Sequence, residues 1–234
     1  MSPLTLVLAT PLFGLSLTLD PSFAASPVVF SQALPFTADI DPESAAEQAE
    51  PQPDVATLMA QRARFGRIHQ WMGIATWASM TATVALGWVQ YANLYGHFAD
   101  REDTRCVQGD PFFERGPRDP CVGQPLPHLI SSATTGVLYY TTFALSYYLP
   151  DPLGLDEGNS RSARALRQHK RLRWAHLSGM AIQILLGVFT ANSDRFGLDR
   201  TNDYRALQAL ATVHLVTGLA TYATLTWAGT IMIF

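Results

Sequence analysis

No Lys or Arg occurs before Arg62, so all 16 basic residues lie in the rest of the chain. They fall in the gaps between apolar runs rather than in a block or along one face, which excludes the clustered footprint that nucleic acid requires. Charge is scarce throughout: 15% of 234 residues are charged and 48% are hydrophobic, with a net charge of −3. That is apolar-rich for a soluble domain of this length, and a single domain accounts for it. Cysteine is limited to Cys106 and Cys121, both in one polar loop. Two cysteines without a C-x-x-C or C-x-x-C-H pattern support neither a zinc site nor covalently attached haem. A nucleophile elbow, a phosphate-cradling glycine loop and a zinc-protease His-Glu pair are all missing, so a hydrolase or transferase has no signature. The carboxylates lie outside the long apolar runs, which removes the intramembrane acid that proton relays and ion-coupled transport use.

What is present is a succession of apolar runs. Residues 3–19 form the first, broken by Pro3 and Pro11 and followed by Ser22-Phe23-Ala24, small residues at the −3 and −1 positions of a signal-peptidase site. Residues 1–24 therefore read as a signal peptide, although no basic n-region precedes the run. Residues 25–61, with Asp39, Asp41, Glu43, Glu47, Glu50 and Asp54, read as an acidic flexible tail. A hydrocarbon core of about 30 Å needs about 20 helical residues. Four later segments reach that length, at about 68–93, 128–149, 172–192 and 207–234. Pro127 and Pro150 bound the second, because proline cannot continue a helix. Trp71, Trp77, Trp88, Tyr91, Tyr95, Tyr147, Tyr148 and Trp174 partly mark interfacial belts. The expected fold is all-α: an integral membrane four-helix bundle of up-and-down topology over 62–234, multi-pass in a bacterial inner membrane.

Two orientations stay open. Side A carries the tail and the 150–171 loop; side B carries the 96–127 and 193–206 loops. Side A has more of the basic residues, among them Arg62, Arg64, Arg67, Arg161, Arg164, Arg167, Lys170, Arg171 and Arg173, which places it in the cytoplasm. On that orientation Cys106 and Cys121 face an oxidising compartment and pair. Cleavage after Ala24, which the two prolines and the small residues favour, places side A outside and leaves both cysteines reduced.

Each of the four long runs carries a histidine near one end. His69 and His176 start the first and third runs, on side A; His128 and His214 belong to the second and fourth, on side B. In an up-and-down bundle the first and third helices are diagonal, as are the second and fourth. Two imidazoles facing across an apolar bundle are what six-coordinate haem iron requires. Small residues share the histidine faces at helical spacing: Gly73, Thr76, Thr83 and Gly87 after His69, Gly179 and Gly187 after His176, Gly218 and Thr221 after His214. Small residues are also ordinary packing in membrane helices, and a histidine at a helix end also sits at headgroup level. A cofactor-free four-helix membrane protein with a structural or interaction role is therefore the alternative. His169, within the basic run, and His97, in the side B loop, read as surface or headgroup contacts.

The segments His69-Gln-Trp-Met-Gly73, His176-Leu-Ser-Gly179 with Gln183 and Gly187, and His214-Leu-Val-Thr-Gly218 resemble the cytochrome b561 family over residues 68–234. The resemblance implies a four-helix core with two b-type haems, each held by histidines on core helices one and three or two and four. The ligand pairs implied are His69 with His176 and His128 with His214, and the function implied is single-electron transfer. The flanking helices of the eukaryotic members and their substrate-binding motifs have no counterpart here, so no ascorbate or ferric substrate carries over. Expected partners are the lipid bilayer, a redox donor and acceptor left unidentified, and, as an open question, a second copy in a homodimer.

Overall fold

The computed structural model describes residues 5–7, 16–18, 54–113, 121 and 126–232. The chain divides into two units, Met1–Gln52 and Pro53–Phe234. In the first, strands β1 (Thr5–Val7) and β2 (Ser16–Thr18) pair antiparallel with Leu6 opposite Leu17. The expected cleavage point after Ala24 and most of the acidic tail lie outside the described residues.

The second unit is all-helical. Its elements are α1 (Val55–Tyr95), α2 (Arg105–Gln108), α3 (Leu126–Leu145), α4 (Arg161–Ala191) and α5 (Tyr204–Thr230). Two of them begin well before the apolar runs that announced them. α1 starts 13 residues ahead of the expected position 68, within what read as tail, because Ala56, Leu58, Met59, Ala60, Gln61 and Arg62 are strong helix formers. α4 absorbs the basic run from Arg161, and Ser160 caps it by accepting a hydrogen bond from the Ala163 backbone N–H at 3.1 Å. At 41 residues, α1 is about 60 Å long, twice a hydrocarbon core. α3 stops at Leu145 and a 3₁₀ turn, Ser146–Tyr148, leads to Pro150. Gly96 closes α1 in the left-handed region at φ 50°.

Contacts between side chains give the packing order. Gly73 and His69 of α1 meet Thr142 of α3, while Gly87 meets His128, so these helices are antiparallel. α4 and α5 pair in the same sense, through Gly179 with Thr221 and Gly187 with His214. α5 returns to α1 through Tyr91–Thr212 and Trp77–Thr226 hydrogen bonds, and α3 meets α4 through Tyr139 and His176. The ring order is α1, α3, α4, α5, with α1 diagonal to α4 and α3 diagonal to α5.

The interior is more polar than the exterior. Met80, Tyr139 and Met180 form the buried apolar core. Around it Thr76 and Thr142 hydroxyls share a hydrogen bond at 3.1 Å, and Ser79 and Thr83 converge on the Thr135 hydroxyl at 2.8 and 2.9 Å. Outward, Trp71 and Val137 are each 69% exposed, and Leu185, Val213 and Val216 also face out. In water that arrangement would forfeit most of the hydrophobic driving force; in hydrocarbon, where packing and interhelical hydrogen bonds hold helices together, it is the expected one. α1, α4 and α5 are long and apolar enough to cross a membrane. α3 has the length, but Ser131, Ser132, Thr134, Thr135, Thr141 and Thr142 make it less apolar.

At side B, Asn93 is fully buried and brackets Phe112, donating from Nδ2 to its carbonyl at 3.1 Å and accepting from its N–H at 2.9 Å. Cys106 and Cys121 are joined as a disulfide with Cα atoms 5.4 Å apart. This differs from the reading that leaves them reduced.

Candidate functional site: histidines at the two ends of the bundle

On side A the ring facing His69 is His169, not His176. The His69 and His169 ring centres are 6.2 Å apart with planes at 81°, across the α1–α4 diagonal. His69 Nδ1 lies 3.1 Å from the Thr142 carbonyl oxygen, and His169 Nδ1 lies 2.8 Å from that of Ala228. A carbonyl can only accept, so both Nδ1 atoms carry the proton and both Nε2 lone pairs are free to ligate. The partner carbonyls belong to α3 and α5, so each diagonal histidine is oriented by the helix that follows its own.

His176 lies two turns deeper, 7% exposed, and its Nδ1 shares a 2.7 Å hydrogen bond with the Tyr139 hydroxyl. That engages the nitrogen in the α3–α4 seam. The sequence pairs His69 with His176; in the structure the ring beside His69 is that of His169, and the Tyr139 bond engages Nδ1 of His176, not its Nε2.

On side B, His128 and His214 sit on the other diagonal within electrostatic reach of each other. Each ring lies over a glycine of the preceding helix: a Cβ on Gly87 would come 3.1 Å from His128 Cε1, and one on Gly187 would come 3.3 Å from His214 Cε1. Any larger residue would displace the rings. Both Nδ1 atoms are buried with no hydrogen-bond partner. Gln183 approaches from α4, its Nε2 3.5 Å from His214 Nε2, while its own Oε1 is buried and unpartnered. Such groups are costly to leave unpaired and invite a ligand. Among the described residues no three His, Cys, Asp or Glu side chains converge in a group that could hold a metal ion by itself.

These correspondences expose a repeat. Residues of α4 match those of α1 at an offset of 100: Ala63, Arg64, Arg67, His69, Ala75, Met80, Leu86 and Gly87 recur as Ala163, Arg164, Arg167, His169, Ala175, Met180, Leu186 and Gly187. α5 matches α3 at an offset of 86, where His128, Leu129 and Thr135 recur as His214, Leu215 and Thr221. The equivalence extends to contacts. Ser79 meets Thr135 as Gly179 meets Thr221, and His69 reaches the Thr142 carbonyl as His169 reaches that of Ala228. The motif Ala-Arg-x-x-Arg-x-His, present twice, is the signal that would have singled out His169 without a structure. Reading His169 as part of a basic surface run concealed it.

No family model matches the chain, and no curated protein and no solved structure is similar to it.

Proposed function

We propose that this chain is a membrane-embedded b-type cytochrome, similar in plan to the cytochrome b561 family, that passes single electrons between two bis-histidine haems. His69 and His169 would hold one haem near side A; His128 and His214 would hold the other near side B. The observation that carries this reading is the His69–His169 pair. Two imidazoles that ligate one iron from opposite sides, each nitrogen about 2 Å from the metal, have ring centres roughly 6 Å apart. The 6.2 Å separation fits, and so does the tautomer set by the two carbonyls. On side B the support is the pair of orphaned imidazole nitrogens and the glycine beds that make room for their rings. The haem supplies a one-electron carrier; the chain orients its ligands, keeps their lone pairs unprotonated and excludes water.

In this reading all four long helices span the membrane, α3 on the strength of its length and place in the ring, and the membrane is a bacterial inner one. The Cys106–Cys121 disulfide supports an orientation with side B on the oxidising face and the basic ends of α1 and α4 in the cytoplasm. A cofactor-free bundle is the second reading, favoured by Gln183 standing against His214 Nε2. The test is the reduced-minus-oxidised spectrum of the detergent-solubilised full chain with haem quantified per protein. Two haems per chain are expected, and a folded, haem-supplied preparation without any establishes the second reading instead.

A further inference from the structure

Four basic groups at the ends of the bundle pair with carboxylates among the described residues, and others, such as Arg164 and Arg167, donate to backbone carbonyls. Arg62 and Lys170 reach Asp151 at 3.5 and 3.6 Å, Lys170 reaches Asp156 at 2.8 Å, Arg105 reaches Asp110 at 3.1 Å, and Arg205 pairs with Asp100. Arg173 makes neither kind of contact among the described residues. It lies one helical turn inward of His169, and among the described residues no carboxylate is within ion-pair distance of it. Its Nε is buried with no hydrogen-bond partner. Among the described residues its one hydrogen bond is a long 3.4 Å approach of Nη1 to the Ser146 hydroxyl. The guanidinium is framed instead by aromatic rings, with Cζ 5.1 Å from Trp174, 5.2 Å from Tyr147 and 6.0 Å from Phe143. At the equivalent position of α1 the repeat has Gly73, so the charge is not part of the shared scaffold. Rings satisfy the face of a guanidinium but not its in-plane N–H donors, which match a carboxylate edge. An arginine framed by aromatic rings at the start of an apolar run, with its Nε buried and no counter-ion among the described residues, can take an anion that the protein does not itself supply.

We propose that Arg173 is the counter-ion for a propionate carboxylate of the tetrapyrrole held by His69 and His169. This rests on the haem reading and adds a recognition residue beyond the iron ligands. The pairing is a charge-assisted hydrogen bond, which adds affinity for the porphyrin without touching the metal.

The test follows haem transfer from the full-length, detergent-solubilised protein to an excess of a haem-scavenging apoprotein, for the wild type, Arg173→Gln and Arg173→Lys. Arg173→Gln is expected to release one of its two haems about tenfold faster than wild type while the other is unchanged, with Arg173→Lys in between. Should Arg173→Gln not fold, wild type loaded with iron protoporphyrin dimethyl ester, whose propionates are esterified, is expected to show the same selective acceleration. Unchanged release in both experiments overturns the proposal. Loss of co-purified phospholipid phosphorus from Arg173→Gln with haem release unchanged also overturns it, in favour of a lipid phosphate. A wild type that binds no haem overturns the haem reading itself, a result distinct from either.

Discussion

The two hairpins of the bundle, α1 with α3 and α4 with α5, agree where they hold a histidine and differ where they fill the centre. In both, a histidine near the start donates Nδ1 to a carbonyl of the returning helix, and a second histidine lies over a glycine eighteen residues further along. Between those points Thr76, Ser79 and Thr83 of the first hairpin are replaced by His176, Gly179 and Gln183 in the second. The first hairpin closes its centre with hydroxyls, since Thr76 bonds Thr142, and Ser79 and Thr83 bond Thr135. The second closes with direct contact: a Cβ on Gly179 would lie 2.2 Å from Thr221 Oγ1. Positions shared by both halves serve the ends of the bundle, whereas positions that diverged set how tightly each hairpin packs.

The largest effect that could break this equivalence concerns the histidines. His169→Ala should remove the same haem as His69→Ala, taking content from two haems per chain to one, while His176→Ala should leave both. Haem quantification of the three variants decides it; a normal His169→Ala beside a depleted His176→Ala would restore the pairing of His69 with His176. Next comes the difference in packing. Gly179→Ala must force α4 and α5 apart and should destabilise by about 2 kcal/mol or more, whereas Ser79→Ala, which removes one hydroxyl hydrogen bond, should cost about 1 kcal/mol. Thermal unfolding of both variants in the same detergent measures the contrast, and equal losses would mean that the hairpins pack alike. The smallest effect lies in the loop joining the hairpins. Lys170, whose counterpart is Gln70, holds the Asp156 carboxyl below its ordinary range, chiefly through their hydrogen bond. A depressed folded value gives stability that is present above the unfolded value, about pH 4, and is lost as pH falls through the folded one. Asp156→Asn should therefore be slightly less stable than wild type at pH 7 and equal to it near pH 2, as read by melting temperature.

Much of the fold was legible in residue pattern. Apolar runs bounded by Pro127, Pro150 and the polar stretch at 193–203 announced four long helices, of which α1, α4 and α5 are long and apolar enough to cross a membrane. Their beginnings were less legible. The first 13 residues of α1 and the first 11 of α4 are polar helix, which hydropathy cannot separate from loop. The candidate site was half legible: His69, His128 and His214 stand on apolar faces beside small residues, but His169 stands among arginines and was discounted for its neighbours. His97 is indeed in the side B loop, with its ring 5.2 Å from that of Trp88.

The sequence by itself determined that there are four long helices with a histidine on each, and, through Ala63-Arg64 and Ala163-Arg164 with their histidines, a twofold internal repeat. These are properties of local composition and spacing, which need no partner to be defined. Only the tertiary structure decided that the His169 ring lies beside that of His69, that Tyr139 bonds His176 Nδ1, that Cys106 meets Cys121, and that Arg173 has no carboxylate partner among the described residues. His169 and His176 are seven residues apart on one face of α4, so the choice between them is one of depth, and how far α4 is shifted along its neighbours decides which of the two lies level with His69.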